Sequence, residues 1–523
     1  MLSEAVATWL DGVTERELDA PLRALLLARG YERVEFVHGS SEFGRDLIGQ
    51  RDGDEGRRYQ WNIQAKAGDI NKARWQEIRG QLEDIRTIPL RHPSVDPELP
   101  TVAVVVTSGR LVGDARAAAG EYVAKYKDEM PVEMWTRDRL LEYLVAAPDA
   151  VFAGAATGPL LATLGAIESG TLDDRALERY SRSWLPEPGA GVSAIAQIEA
   201  AMLASRLARH ARLDLACLSA LCLLRAALVA AHGSDAIDPE VARTINTAGH
   251  EFAAYAEQLW ERCIQDTLDP VLVVREHSPE VGIFATYNVR CVRVIEMIGL
   301  LGLWRQKLNT DTTAIITWLA DFIDRQPGAA RPLSDRWASS LIPPALLLGR
   351  EQQQLVGQWL SQTARWVGDR LADDGLGLAG VDADPREEID YLLGDLEHVT
   401  HRRRRESRVA AVVLDLASAL ELGDLYDFAR HEFEAVGAVG DVLHTSDTVD
   451  QYLADSDELE RELNPLYTPS WAERDGWITA PHQRDTSHAP SIAHAGLIWE
   501  HIAVWTVLRD RHLASLMRQL VSS

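Results

Sequence analysis

The chain contains 523 residues, of which 46% are hydrophobic, and this is enough to build two or three packed domains. Its formal net charge of −26 excludes a protein that coats nucleic acid through a generally basic surface. The excess acid lies mainly after residue 150, because residues 1–150 contain 20 Lys and Arg against 26 Asp and Glu. The two parts of the chain are therefore expected to meet different partners.

Cysteine usage and the apolar segments bear on the cellular compartment. The four cysteines form no CxxC pair, which favours reduced, buried thiols over a zinc site. Residues 1–12 lack the basic and apolar regions of a secretory signal. The apolar run from Leu213 to Ala231 contains Asp214 and Arg225 and falls short of a clean membrane span. The sequence therefore predicts a cytoplasmic protein with no membrane partner.

The first predicted elements are a helix and a short strand. Residues 14–29 carry leucines at helical spacing and end at Gly30, a common helix stop. Residues 33–37 follow as the first strand. This order opens an α/β arrangement in which the helix is followed directly by a sheet.

Two further strands, joined by a turn, carry the most informative polar residues. From Tyr59 to Lys66, apolar or small residues alternate with polar ones, the period-2 pattern of a half-buried strand. This pattern places Gln64 and Lys66 on one face. The segment 51–57 is rich in charged residues and glycine, as a hairpin turn requires, so residues 44–48 are predicted to form the partner strand. Asp46 is therefore expected to approach Gln64 and Lys66.

The rarity of lysine draws attention to Lys66. Five residues of the chain are lysine, whereas the other 48 residues counted as Lys or Arg are arginine. A lysine on a short strand beside Gln64 suggests a position that needs a compact ammonium group and not a wide guanidinium. The alternative is chance placement on a solvated strand face.

The α/β pattern continues to about residue 145. A helix is predicted over residues 72–85, a buried strand over 101–106 and a helix over 115–126. A strand over 132–135 and a helix through Leu144 complete the unit. The order αβββαβαβα predicts an α/β domain with a mixed sheet over residues 1–150.

The amino-acid composition of the chain changes after residue 150. Gly, Ala and Pro are frequent in residues 151–191, which are predicted as a linker region. Residues 192–523 show recurrent helical patterns without a fixed repeat, so we predict a large all-α domain of one or two subdomains, with a solenoid as the alternative. The literal GxGxxG at residues 375–380 follows a helix and not a strand, which favours a loop over a dinucleotide site.

The polar residues described above resemble a known nuclease motif. Asp46 followed by Gln64-x-Lys66 resembles the PD-(D/E)xK nuclease superfamily, and in particular its Mrr-like restriction endonuclease branch, which typically has Gln-x-Lys as its third element. The Gly30-Tyr31 pair and the strand that ends in Thr107-Ser108-Gly109 are also similar to that branch. The resemblance covers roughly residues 14–145, and it implies a restriction-endonuclease-like core and a DNA substrate.

The resemblance also implies a set of site residues. Asp46, Gln64 and Lys66 would be catalytic, and Asp46 and Gln64 would be ligands of Mg²⁺ or Mn²⁺. The family has an acidic residue on the first helix, and counting back from Gly30-Tyr31 gives Asp19, with Glu17 as the alternate. The usual residue there is Glu, and an acid that stabilises the helix N-terminus explains Asp19 equally well.

The resemblance implies a Mg²⁺-dependent DNA endonuclease, which we expect to be an effector of a bacterial restriction or antiphage defence system. The helical domain is expected to sense a signal, to bind a protein partner or to mediate self-association. The alternative is a catalytically weak nucleic-acid-binding or scaffolding subunit of a larger complex.

Overall fold

The structure is a computed structural model, and it divides the chain into two compact units. The first unit comprises Met1–Leu161 with Ala194–Met202, and the second comprises Ala162–Ser193 with Leu203–Ser523. The described residues are 2–37, 44–53, 55–154, 158–187, 190–231, 236–265, 283–349, 351–381, 383, 385–394, 405–444, 460–465 and 497–508.

The first unit alternates helices and strands along the chain. Its elements are α1 (Leu2–Gly12), α2 (Glu15–Ala28), β1 (Glu32–Phe36), β2 (Leu47–Asp52), β3 (Arg58–Lys66), α3 (Lys72–Thr87), β4 (Thr101–Thr107), α4 (Asp114–Tyr126), β5 (Val132–Trp135) and α5 (Arg137–Ala146). Helix α1 was not predicted; it packs against α5, with Val6 and Leu10 buried.

The five strands form one mixed sheet in the order β1-β2-β3-β4-β5. Strands β1 and β2 and strands β2 and β3 pair antiparallel, whereas β3 with β4 and β4 with β5 pair parallel. The mixed sheet and the element order from α2 to α5 confirm the predicted α/β class.

Helices cover both faces of this sheet. One face carries a core that joins α3 and α4 to Ala103 and Val105 of β4. The opposite face carries aromatic packing in which Tyr31, after α2, meets Trp61 edge-on with ring centroids 5.3 Å apart. Since Gln64 pairs with Val105 in the β3–β4 register, Gln64 belongs to the α3 and α4 face.

The prediction of a half-buried β3 is wrong, because both faces of the strand are buried. Gln60, Asn62 and Gln64 are all less than 5% exposed, although they are polar. The alternation of the sequence is real, but the polar face is covered by protein and its amides are hydrogen-bonded within it. Local periodicity reports polarity and not the presence of a covering layer.

The rest of the chain is mostly helical, as predicted. The helices are α6 (Gly158–Glu168), α7 (Asp174–Ser181), α8 (Ala194–Arg209), α9 (Leu213–Ala231), α10 (Pro239–Gln265), α11 (Ile283–Lys307), α12 (Thr313–Arg325), α13 (Ile342–Leu348), α14 (Gln353–Leu371), α15 (Pro385–Leu393), α16 (Arg408–Ala419), α17 (Gly423–Ala435) and α18 (Ile498–Leu508). The GxGxxG segment forms a loop after α14, as expected.

The predicted linker region contains helix α7, which belongs to the second unit. The carboxylate of Asp174, in α7, forms ion pairs with Arg293 at 2.7 Å and with Arg336 at 2.9 Å. Glu178, one turn later, pairs with the buried Arg225 at 3.3 Å. Buried charges of this kind must be paired, so they fix α7 within the second unit. Composition alone did not reveal this, because the charged partners lie far along the chain.

Helix α9 is, among the described helices, the one long and apolar enough to cross a membrane by length and composition. The prediction that this segment falls short of a membrane span is therefore not met by its length and composition. In this structure 94% of the apolar window is buried inside the protein. Its charged residues are paired there, since Asp214 contacts Arg212 at 3.2 Å.

A small three-stranded sheet interrupts the helical region. It consists of β6 (Glu406–Ser407), β7 (Val439–His444) and β8 (Glu460–Pro465) in that order. The prediction that residues 192–523 are all helical is therefore wrong at these strands. Pairing with β7 stabilises an extended conformation that the local pattern of β8 does not encode.

Candidate active site

The position of Asp46 is fixed by backbone hydrogen bonds on both sides. Asp46 directly precedes β2, its N–H donates to the Ile63 carbonyl at 2.9 Å, and its carbonyl accepts from the Val37 N–H at 3.0 Å. Gly44, two residues earlier, has φ +78°, and a Cβ there would lie 2.6 Å from the Gln81 carbonyl oxygen. Glycine is therefore required for the chain to pass α3 and deliver Asp46 to the sheet.

The intervening Arg45 anchors this segment from inside the domain. It is 3% exposed, its Nε donates to Asn62 Oδ1 at 2.9 Å, and its Nη2 donates at 2.9 Å to the carbonyls of Ile85 and Ile88. Burial lowers the pKa of Arg45 to about 10, so the guanidinium stays charged at neutral pH. The buried cation satisfies carbonyls at the end of α3 and joins them to β3.

Asp46 and Gln64 are in direct contact. The Gln64 amide nitrogen donates to Asp46 Oδ2 at 2.7 Å, and the Ala65 N–H donates to the same oxygen at 2.7 Å. Gln64 is 1% exposed, and its Oε1 has no hydrogen-bond partner among the described residues. A buried amide oxygen without a partner is energetically costly, so it marks a place where another group can bind.

Lys66, at the end of β3, meets a carboxylate that the sequence analysis overlooked. Its Nζ lies 3.0 Å from Glu15 Oε1, and the other Glu15 oxygen lies 3.6 Å from Nη2 of Arg74. Glu15 is the first residue of α2, and Arg74 lies in the first turn of α3. The beginnings of two helices therefore meet beside the end of β3.

The acidic residues of α2 divide into two groups by helical position. Glu17, the predicted alternate, is committed to the capping box, in which its carboxylate accepts from the Thr14 N–H at 2.9 Å. Glu15 and Asp19 are four residues apart and share a helix face. Asp19 lies beyond the first turn of α2, so the explanation of Asp19 as a stabiliser of the helix N-terminus is wrong.

Two carboxylates of α2 affect the pKa of Asp46. Partial burial raises the pKa of Asp46, and the nearby carboxylates of Glu15 and Asp19 raise it further. The Ala65 N–H and the Lys66 ammonium act in the opposite direction. Three acids and one lysine therefore share an electrostatic environment, although Asp46 and Glu15 are 31 positions apart in the chain. A cation bound beside Asp46 would favour its charged form.

The Thr107-Ser108-Gly109 segment at the end of β4 holds the chain that follows Lys66. The Thr107 hydroxyl donates to the Gly68 carbonyl at 2.6 Å, and the Ser108 hydroxyl accepts from the Gly68 N–H at 2.9 Å. A Cβ at Gly109 would lie 2.2 Å from a backbone atom of Gly68. These contacts hold the end of β3, and with it Lys66, in a fixed backbone position.

Comparison with known proteins agrees with this geometry. Residues 10–144 match the family model Mrr_cat, described as a restriction endonuclease. The N-terminal unit contains an Mrr-type restriction endonuclease domain. This confirms the resemblance drawn from the sequence and indicates a nuclease that acts on DNA. No curated protein and no solved structure matches the chain.

The residues of this nuclease domain fit a hard divalent cation, a class of cofactor that the family implies. Asp46 offers a carboxylate, and Gln64 offers the buried Oε1 that lacks a partner among the described residues. Within the described part of the chain, no three His, Cys, Asp or Glu side chains form a ready-made metal site. The fit therefore depends on an amide oxygen in a place where a further carboxylate would give stronger binding.

Proposed function

We propose that this protein is a Mg²⁺-dependent DNA endonuclease and an effector of a bacterial restriction or antiphage defence system. The observation that carries the proposal is the contact between Asp46 and Gln64, with Lys66 two residues along the same strand, inside an Mrr-type domain. The helical region would control activation or bind a partner.

Each side chain has a role that its position supports. A divalent ion held by Asp46 and Gln64 would neutralise charge on the scissile phosphate and favour an attacking water. Asp46 supplies the anionic ligand, and Gln64 supplies the neutral one. Lys66 supplies an ammonium group for the negative charge that develops on the phosphate. Asp19 is near enough to influence Asp46 electrostatically and is proposed to assist the same site.

The substitution Gln64→Glu should strengthen Mg²⁺ binding and lower the thermal stability of the metal-free domain. Glutamate at this position replaces the amide donor to Asp46 by a second carboxylate, and two adjacent carboxylates repel one another until a cation binds. A thermal shift series with increasing Mg²⁺ should therefore show a larger stabilisation than in the parent.

The matched substitution Gln64→Leu should abolish cleavage, because it removes the neutral ligand while keeping a side chain of similar bulk. Cleavage rates against Mg²⁺ concentration provide the measurement. If Gln64→Leu follows the parental curve, Gln64 is not a ligand and this part of the proposal fails.

Cleavage by the isolated chain should be weak, most of all at low salt, where charge repulsion is screened least. Both parts of the protein carry excess acid, and the net charge is −26, so encounters with a polyanion are opposed at long range. Productive cleavage is therefore expected to depend on self-association or on a partner that supplies DNA affinity. Rates for the full chain at low and physiological salt test this, and rapid cleavage by the monomer at low salt would contradict it.

A plasmid nicking assay with and without divalent ions tests the proposed activity. Mg²⁺-dependent nicking by the parent, absent from an Asp46→Asn variant prepared in parallel, is the expected result.

The other candidate function is a catalytically weak nucleic-acid-binding or scaffolding subunit, which the amide at position 64 favours because it leaves one negative ligand fewer. DNA binding without nicking under any divalent ion would select that alternative.

A further inference from the structure

Two cations beside the proposed active site share one carboxylate. Glu15 places one oxygen 3.0 Å from Lys66 and the other 3.6 Å from Arg74. The side chains of Glu15 and Arg74 are 45% and 35% exposed, whereas that of Lys66 is 15% exposed. The carboxylate thus enters from the solvent side and covers the less accessible ammonium group.

This arrangement matches the requirements of a phosphate. A DNA phosphate presents two non-bridging oxygens, as a carboxylate does, and arginine with lysine is a common pair of phosphate partners. Arg74 lies in the first turn of the 16-residue helix α3, whose N-terminal dipole also favours an anion. Glu15 is 45% exposed, and ion pairs made by a carboxylate open to solvent are weak, so an incoming anion can replace it.

We propose that Lys66 and Arg74 form a binding site for a backbone phosphate of the DNA, and that Glu15 occupies it in the free protein until DNA displaces it. This inference rests on the proposed function and adds to it. Arg74 becomes a substrate-binding residue, and Glu15 becomes an internal competitor that lowers DNA affinity. DNA would bind at this site only when the free energy gained from the phosphate contacts exceeds the free energy lost with the Glu15 contacts.

The experiment measures equilibrium binding of the full chain to a short labelled duplex by fluorescence anisotropy, in EDTA and over a series of salt concentrations. Glu15→Gln should tighten Kd by roughly 2- to 5-fold, the range expected for removing an exposed carboxylate–cation pair. Arg74→Gln should weaken binding by a similar factor and should reduce the slope of log K against log salt by about 1. In the double variant, the gain from Glu15→Gln should be largely lost, because one of the two cations is gone.

Matched controls separate local displacement from a general change of charge. Glu77→Gln and Arg79→Gln remove the same charges from exposed positions on α3. If these controls change Kd as much as Glu15→Gln and Arg74→Gln do, the displacement proposal is overturned. Weaker binding by Glu15→Gln would overturn it as well.

The nicking assay shows which proposal has failed. If nicking is Mg²⁺-dependent and lost in Asp46→Asn, but Glu15→Gln leaves Kd at the parental value, the displacement inference alone is overturned. If the parent neither binds nor nicks DNA, the proposed function fails and the phosphate site fails with it.

Discussion

Replacing Asp46 by asparagine should reduce DNA cleavage by about 10³-fold or more while leaving the domain folded. The charged ligand is lost, and metal-assisted charge neutralisation is worth several kcal/mol in such reactions. The fold should survive because an asparagine carbonyl oxygen can still accept from the Gln64 amide and the Ala65 N–H, both 2.7 Å away. Single-turnover cleavage rates and thermal melting measure the two effects separately.

The matched control for this substitution is Asp52→Asn at the other end of β2. Asp52 is exposed and contacts Arg58 at 3.5 Å, so its removal changes the net charge equally without touching the proposed site. The control should keep parental cleavage. An Asp46→Asn variant with the same rate as this control would place the active site elsewhere.

Replacing Lys66 by methionine should reduce cleavage by roughly 10²- to 10³-fold, the usual cost of removing one preorganised donor to a transition-state charge. Lys66→Arg should fail to restore activity, because a planar guanidinium cannot occupy the position of a compact ammonium group. Folding should be retained, since the side chain lies at the end of β3 and its ion pair joins it to a carboxylate, Glu15, that is 45% exposed. The measurement is the cleavage rate at saturating DNA together with a denaturation curve.

The nearby Lys72 provides the comparison for Lys66. Its side chain is 66% exposed and contacts Asp114 at 3.3 Å. Lys72→Met should therefore affect cleavage far less than Lys66→Met does. Equal losses in the two variants would indicate a general need for positive charge and would remove the specific role of Lys66.

Local pattern was sufficient to predict most of the first unit. Strand β5 begins and ends at the predicted residues, and helix α3 begins as predicted but ends two residues later. These elements have strong periodic signals and clear boundaries, such as the Asn71 cap whose side chain accepts from the Arg74 N–H. The period-2 pattern of β3 also placed Gln64 and Lys66 on one face, which the strand geometry bears out.

The partners of these residues were harder to predict. Glu15 contacts Lys66 from 51 positions away, whereas the acids predicted for this helix were Asp19 and, as the alternate, Glu17. A signal existed, because Glu15 lies one helical turn before Asp19 on the same face, while Thr14 and Glu17 form a capping-box pattern that already explains Glu17. The capping-box pattern therefore favours Glu15 over Glu17 as the partner of a residue outside the helix.

The sequence by itself determined the α/β class of the first unit, the helical character of most of the remainder and the residue types of the candidate site. These properties follow from periodicity and from side-chain chemistry, which are local. The tertiary structure alone decided that the polar face of β3 is buried, that Arg45 holds it to α3 and that Glu15 lies between Lys66 and Arg74. Such contacts join residues distant in the chain, and their energies depend on burial and distance, which exist only once the chain has folded.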